Sequence, residues 1–324
     1  HMGSYKNFAQ ALGWRARLAA ETGDFEAAFD DVMVCCRFGK HLKQGDKTLV
    51  EQLVGIYVEL SVFEITFELL DKYDIDATVL SQFQRRINKE IADDDFVISF
   101  VIEKLWMRDE IQRSFTNDSI GKGHLYLNKI SEVRPYLWKR SKLKTAKIII
   151  RLLFINPNKK ETLVSIDRLY SAADKFAKMS PVKIHEKNIN IQQKIENLTE
   201  TNLFFELFTT PLNGLIEIGY RLRAHASAAQ AIIAAVRYKA ENGVYPDSLD
   251  ELLEKGYLKS LPIDPFSDKP FAYRKTNDSF LVYSYGTNCE DDGGEVYRYP
   301  DGMRKGQIRK FAEQGDWVFW PMAE

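Results

Sequence analysis

The run Glu241-Asn-Gly-Val-Tyr-Pro-Asp-Ser-Leu-Asp-Glu-Leu252 marks where one long helix stops and another starts. Upstream, residues 215–240 are rich in Ala, Leu, Ile and Arg. Apolar residues recur there at helical spacing (Leu222, Ala226, Ala229, Ile233, Val236), which predicts a long amphipathic helix. Asn242-Gly243 ends it, because glycine accepts the left-handed conformation at a helix C-terminus and Pro246 cannot continue the hydrogen-bond ladder. Ser248 and Glu251 have capping-box spacing ahead of a short helix, Leu249 to Lys255, that closes at Gly256.

Beyond Gly256 the period changes from helical to extended. Leu261-Pro-Ile-Asp-Pro-Phe266 contains two prolines and is expected to run over the surface as a connector, not as a central strand. Phe271-Ala-Tyr273 and Phe280-Leu-Val-Tyr-Ser-Tyr285 are aromatic and β-branched, and Thr276-Asn-Asp-Ser279 between them predicts an antiparallel hairpin. Trp317-Val-Phe-Trp320 is a further candidate strand. The C-terminal third therefore reads as a long helix packed on a small antiparallel sheet.

The order of these pieces resembles the soluble domain of the major pseudopilin of type II secretion systems. Gly243, Tyr245, Pro246, Leu261, Pro262, Asp264, Pro265, Phe266, Pro270, Tyr273, Tyr283, Ser284 and Gly286 carry the resemblance, which covers the last third and nothing before it. A pseudopilin begins with a prepilin cleavage signal and a strongly apolar N-terminal helix that packs into a filament. The corresponding helix here is internal and carries Arg221, Arg223, His225, Arg237 and Lys239. A pseudopilin-like module on a larger protein is thus expected, not a filament subunit. The resemblance also implies a calcium site after the Tyr-Ser-x-Gly strand, and calcium takes six to eight oxygen ligands. The oxygens on offer belong to Ser284, Asn288, Glu290, Asp291 and Asp292, then to Asp316 just before the last strand. Asn288 stands where the family usually has Asp, and residues 295–315 resemble an insertion between the two halves of the site. A solvated acidic turn with no ion is the competing reading.

The 324 residues allow two or three domains, with 45% hydrophobic residues for ordinary cores. Basic residues number 45 and acidic residues 46, a balance that argues against a nucleic-acid surface driven by net charge. His1-Met-Gly-Ser4 resembles an expression-tag remnant, which leaves room for a membrane anchor or signal peptide upstream. The best apolar run, Ile148 to Ile155, is interrupted by Arg151 and too short to span a membrane. Cys35, Cys36 and Cys289 supply no disulfide framework, and the adjacent pair reads as buried packing.

Residues 5–180 read as an α-helical domain, 181–214 as a helical bridge and 215–324 as the pseudopilin-like domain, so the fold class is α+β. In the first, Ala9 to Glu21 and Phe25 to Phe38 form a hairpin turned at Thr22-Gly-Asp24 and ended by Gly39-Lys-His41. Trp14, Leu18, Gly23, Phe25 and Ala28 partly resemble a tetratricopeptide-type helix pair, although a solenoid needs about three such units. Helices from Thr48 to Asp71 and from Asp76 to Ile91 follow. Glu51, Glu59, Glu64 and Glu68 lack the Glu-x-x-His partner of a carboxylate metal site and read as a solvated face with room for one buried, paired member. Asp93-Asp-Asp95 is expected to offset the positive end of a helix from Phe96 to Phe115. Ser119 to His124 lacks phosphate-loop spacing and reads as a loop. Lys139, Arg140, Lys142, Lys144 and Lys147 read as a solvated basic face, and Phe204, Phe205 and Phe208 as anchors of the bridge.

No histidine-based metal spacing, nucleophile elbow or dinucleotide fingerprint is present. Two functions from different classes stand. The first is a non-catalytic, extracytoplasmic binding or scaffold protein that docks a protein partner and carries a calcium-stabilised module. The alternative is a hydrolase whose cleft between the domains gathers carboxylates with His185 or His225.

Overall fold

The computed structural model describes residues 2–92, 96–117, 122–126, 158–199, 212–295 and 315–322. Over these residues the chain is mixed α/β and mostly helical. Helices α1 (Met2–Glu21), α2 (Phe25–Lys43) and α3 (Leu49–Lys72) pack against one another. The side chain of Asp24 caps α2 by accepting from the Ala27 amide at 3.0 Å, and Thr48 with Glu51 forms a reciprocal capping box on α3.

The expected stop at Gly39-Lys-His41 does not occur, since α2 continues to Lys43. Gly39 instead permits a helix crossing. A Cβ there would sit 2.9 Å from the Gly55 carbonyl oxygen, and a Cβ on Gly55 would sit 2.6 Å from the Gly39 carbonyl oxygen. Two mid-helix glycines cost about 1 kcal/mol each in helix propensity, so the close approach is what they serve. One turn along each helix lie Lys43 and Glu59, an ion pair at 3.5 Å whose side chains are 0% and 4% exposed. Glu59 is thus the buried, paired glutamate of α3, and Cys35 and Cys36 are buried as the sequence implies.

Helix α4 (Ala77–Ala92) precedes α5 (Val101–Ser114), which starts five residues later than the sequence suggests. Residues 96–100 turn inward instead: Ile98 and Phe100 are buried, the Ser99 amide donates to Gln52 Oε1 at 2.8 Å and the Phe100 amide to Asp174 Oδ1 at 3.2 Å. These side-chain acceptors take the place of a first helical turn. Asp93 to Asp95 lie outside the described residues, as do the basic cluster from Lys139 to Lys147 and the Phe204, Phe205 and Phe208 anchors. Helices α6 (Lys159–Ala177), α7 (Pro181–Glu186) and α8 (Ile191–Thr199) follow, α6 and α7 being capped by Asn158 and Ser180.

The long helix is α9 (Leu212–Asn242), followed by α10 (Leu249–Glu254). Gly243 leaves α9 at φ 79° and its amide returns to the Lys239 carbonyl at 2.7 Å, the expected stop. The five successive residues Ala231 to Ala235 have no exposed surface. Five in a row cover every face of a helix, so α9 is enclosed on all sides. It packs on α3 and α4 on one side and on the strands on the other. Alanines keep the backbone close to both.

Strands β3 (Ala272–Lys275), β4 (Phe280–Ser284) and β5 (Trp317–Trp320) form an antiparallel sheet in that order, while β1 (Ile263–Asp264) pairs separately with β2 (Lys269–Pro270). The ring of Phe280 stacks between Tyr273 and Trp320, at 5.5 and 5.3 Å, and Tyr245 approaches it at 4.9 Å. The Tyr273 hydroxyl donates to the Pro246 carbonyl at 2.7 Å. The turn after α9 is therefore tied to the sheet by both residues of its Tyr-Pro pair. Leu261 to Phe266 is not a surface connector: Asp264 and Phe266 are 1% and 2% exposed. Its prolines confine it to the short β1 pairing, as expected of a strand edge, but its carboxylate and ring turn into the core.

Candidate functional site

The loop after β4 opens with a single 3-10 turn, Gly286–Asn288, and leads to Asp291, Asp292 and Gly293-Gly294. Gly286 is held at φ 64°, with the Gly315 carbonyl oxygen only 2.5 Å from where a Cβ would stand. That close approach brings the chain just before β5 alongside the loop. Asp316 follows at once, and its Oδ2 accepts from the Gly294 amide at 2.6 Å. Both halves of the sequence-predicted site thus meet at Gly294.

Four of the six candidate residues gather here: Asn288, Asp291, Asp292 and Asp316. Asn288 donates to Asp292 Oδ2 at 2.9 Å, and Asp291 Oδ1 accepts from the Tyr283 hydroxyl at 2.9 Å and the Gly293 amide at 3.0 Å. Burial pushes the Asp291 carboxyl up, but these donors together with Tyr285 outweigh it and hold the group below its usual range. Asp316 goes the other way. It is 4% exposed, and burial, followed by the charges of Asp291 and Asp292, pushes its pKa up to about 6 against the pull of the Gly294 and Asp292 amides. Its Oδ1 is buried with no hydrogen-bond partner among the described residues.

Ser284 is placed elsewhere. Its hydroxyl donates to Asp264 Oδ1 at 2.6 Å and accepts from the Gly286 amide at 3.2 Å, so it faces the core rather than the acidic loop. Asp264 also accepts from the amides of Phe266 and Tyr285, each at 3.1 Å. Burial raises its pKa, and these hydrogen bonds work against the rise. This carboxylate joins β1 to the end of β4. Sequence reasoning used Asp264 as part of a resemblance without seeing this role; an aspartate between two prolines, with no exposed turn to serve, was the available signal.

The oxygen-only donors of the loop match the chemistry of a hard cation, and the orphaned Asp316 oxygen is the atom such an ion would satisfy. Among the described residues, however, no group of three or more His, Cys, Asp or Glu side chains is spaced to hold a metal. Any cation here would draw on backbone carbonyls as well as on Asp291, Asp292 and Asp316.

The two histidines of the hydrolase alternative part company. His185 lines a surface groove of about 390 Å³ between α7, the start of α8, and α9, with Ile184, Ile189, Ile216 and Phe266 as walls. Glu217 is the one carboxylate among its described lining residues. His225 is 4% exposed, with Nδ1 2.9 Å from the Arg221 carbonyl and its ring edge-on to Phe319 at 4.9 Å. Burial lowers its pKa to about 4. It is a buried core histidine and is not among the described residues that line the groove.

Among the described residues, no helix is long and apolar enough to cross a membrane. No protein-family model, curated protein or solved structure matches the chain.

Proposed function

We propose that this chain is a non-catalytic, extracytoplasmic binding or scaffold protein. In this reading residues 5–180 present a helical surface to a protein partner. The C-terminal third is a pseudopilin-like module, related to those of type II secretion, that calcium stiffens. The observation that carries the calcium element is Asp316: a buried carboxylate with an oxygen lacking a partner among the described residues, beside two further acids. A divalent cation would offset all three charges at once. Support for a binding role comes from α1, where Trp14 and Leu18 are 70% and 62% exposed one turn apart.

The enclosure of α9 supports a module that does not polymerise. A filament subunit offers its long helix to neighbouring subunits, whereas α3 and α4 of the same chain already cover this one. The hydrolase alternative has less to stand on, since His225 is sealed in the core and the His185 groove brings in Glu217 as its carboxylate.

The test is thermal unfolding of the full chain with excess chelator and with added calcium. A ligand bound to the folded state at a hundredfold excess over its Kd adds about 2.7 kcal/mol. A calcium-dependent rise in Tm that Asp316→Asn abolishes is expected. Superimposable curves with chelator and with calcium would remove the ion from this reading.

A further inference from the structure

Helix α1 turns one side to its own domain and the other to solvent. Ala9, Leu12, Ala16 and Ala20 are buried, a Cβ on Gly13 would meet the Ile65 side chain of α3 at 2.8 Å, and Arg17 reaches Glu68 of α3 at 2.6 Å. At about 100° per residue these positions occupy the back of the helix and put Ala11, which is exposed, near the middle of its outward side. Trp14 and Leu18 follow on that side, and Phe8, 46% exposed, precedes Ala11 by one turn. On α2, Val34 is 44% exposed and lies between Asp31, which accepts from Arg15, and Phe38, whose ring meets Phe8 edge-on at 5.1 Å. The one charged side chain on this outward strip, Arg15, is thus neutralised from within its own chain.

The order of residues along the strip narrows its occupant. A partner of different sequence needs only apolar surface, whereas a second copy needs a strip that reads the same in both directions, because in an isologous contact residue i meets j and j meets i. A two-fold axis at Ala11 meets this condition. It sets Trp14 level with Phe8 of the second copy, and Phe8 level with that copy's Trp14. Arg15 comes level with Asn7, so no like charges oppose each other, and Ala11 on the axis lets the two helices approach closely. With ~150–250 Å² for a whole aromatic side chain, the exposed parts of Phe8, Trp14, Leu18 and Val34 amount to on the order of 450 Å² per chain. Two copies, with their polar rim, reach about 1,200 Å², the low end for a specific interface. We propose that the outward face of α1 is the interface of a symmetric dimer, in which α1 docks antiparallel on α1 of a second copy about a two-fold axis at Ala11. The proposal rests on the reading of the helical domain as a docking surface and names the chain itself as the partner.

The experiment is sedimentation velocity of the full chain over a micromolar concentration series, with thermal unfolding of each variant alongside. A reversible monomer–dimer equilibrium is expected. Trp14→Glu should weaken it at least ~tenfold, as removal of a central aromatic anchor does, and leave Tm unchanged because the side chain is 70% exposed. Leu18→Glu, at a side chain 62% exposed, should act in the same way without touching Phe38. Because the axis pairs position 14 with position 8, an equimolar mixture of Trp14→Glu and Phe8→Lys chains should form a heterodimer that neither variant forms alone. A chain that stays monomeric throughout the series overturns the dimer and leaves the face to a partner of different sequence, so the docking reading survives that result. A dimer that Trp14→Glu and Leu18→Glu leave intact would place the contact elsewhere and overturn the proposal, as would a mixture that stays monomeric. A lowered Tm in both glutamate variants would show the strip to be part of the domain's own packing, and would remove the docking reading as well.

Discussion

His225 should set the acid limit of this protein. Burial holds its folded pKa near 4, against about 6.5 when the chain unfolds. Between those values the unfolded state takes up a proton that the native state refuses. The native advantage is therefore complete above pH 6.5 and drains away as the pH falls towards 4. Each unit of pKa difference is worth about 1.36 kcal/mol, so the full loss is about 3 kcal/mol, of which about 2 kcal/mol is gone by pH 5. The perturbation is His225→Leu, which removes the titrating ring and keeps an apolar side chain against Phe319. Urea unfolding of both proteins, followed by tryptophan fluorescence at half-unit steps from pH 7.5 to 4.5, gives the two slopes. The wild type should lose stability faster than the variant across this range. If the two slopes coincide, the ring is not held neutral in the core and the reasoning fails.

Two further substitutions probe the packing. Asp264→Ala leaves the Ser284 hydroxyl and the Phe266 and Tyr285 amides without their acceptor in a buried site, so a loss of about 3 kcal/mol is expected in denaturant unfolding. Asp264→Asn keeps an acceptor oxygen and should lose about 1 kcal/mol; equal losses for the two would show that these hydrogen bonds are not what holds β1 to β4. Gly55→Ala should destabilise by about 2 kcal/mol despite alanine's better helix propensity, because its Cβ would meet the Gly39 carbonyl oxygen at 2.6 Å. A stabilised Gly55→Ala protein would mean the crossing is looser than described.

What the sequence made legible follows from how local each signal is. The end of α9 at Asn242-Gly243, the Ser248 cap and the strands around Thr276 to Ser279 depend on turn chemistry and side-chain period, and they form where those signals stand. Signals that need a distant partner misled. Gly39 has the look of a helix stop, and its use appears only when Gly55 is seen opposite. Phe96 to Phe100 has helical composition, but Gln52 and Asp174 capture its amides. Leu261 to Phe266 reads as surface because of its prolines, while the residues that bury it lie on α9, β4 and β5. The candidate site divides in the same way. Asn288, Asp291 and Asp292 are neighbours in the chain, and Asp316 reaches them because β5 pairs with β4. Ser284 shares their sequence neighbourhood and is lost to Asp264, a partner that spacing alone could not reveal.

The position of α9 decides how the two halves of the chain relate. An amphipathic reading gives this helix one apolar stripe, and a single stripe would be satisfied by the sheet alone. Ala231 to Ala235 are instead buried without a break, and α3 and α4 supply the second cover. The join is polar as well as apolar: Gln84 of α4 donates to the Tyr257 carbonyl at 2.8 Å and accepts from Arg237 at 3.0 Å, and Arg237 in turn holds Glu241 at 2.8 Å. Gln84 is 3% exposed, so these bonds are made where water does not compete for them. A helix shared in this way belongs to both cores, and the C-terminal third cannot part from the helical domain without exposing one face of it. The strands and the helical domain thus share one helix, so a substitution that loosens α9 against α3 and α4 acts on both cores.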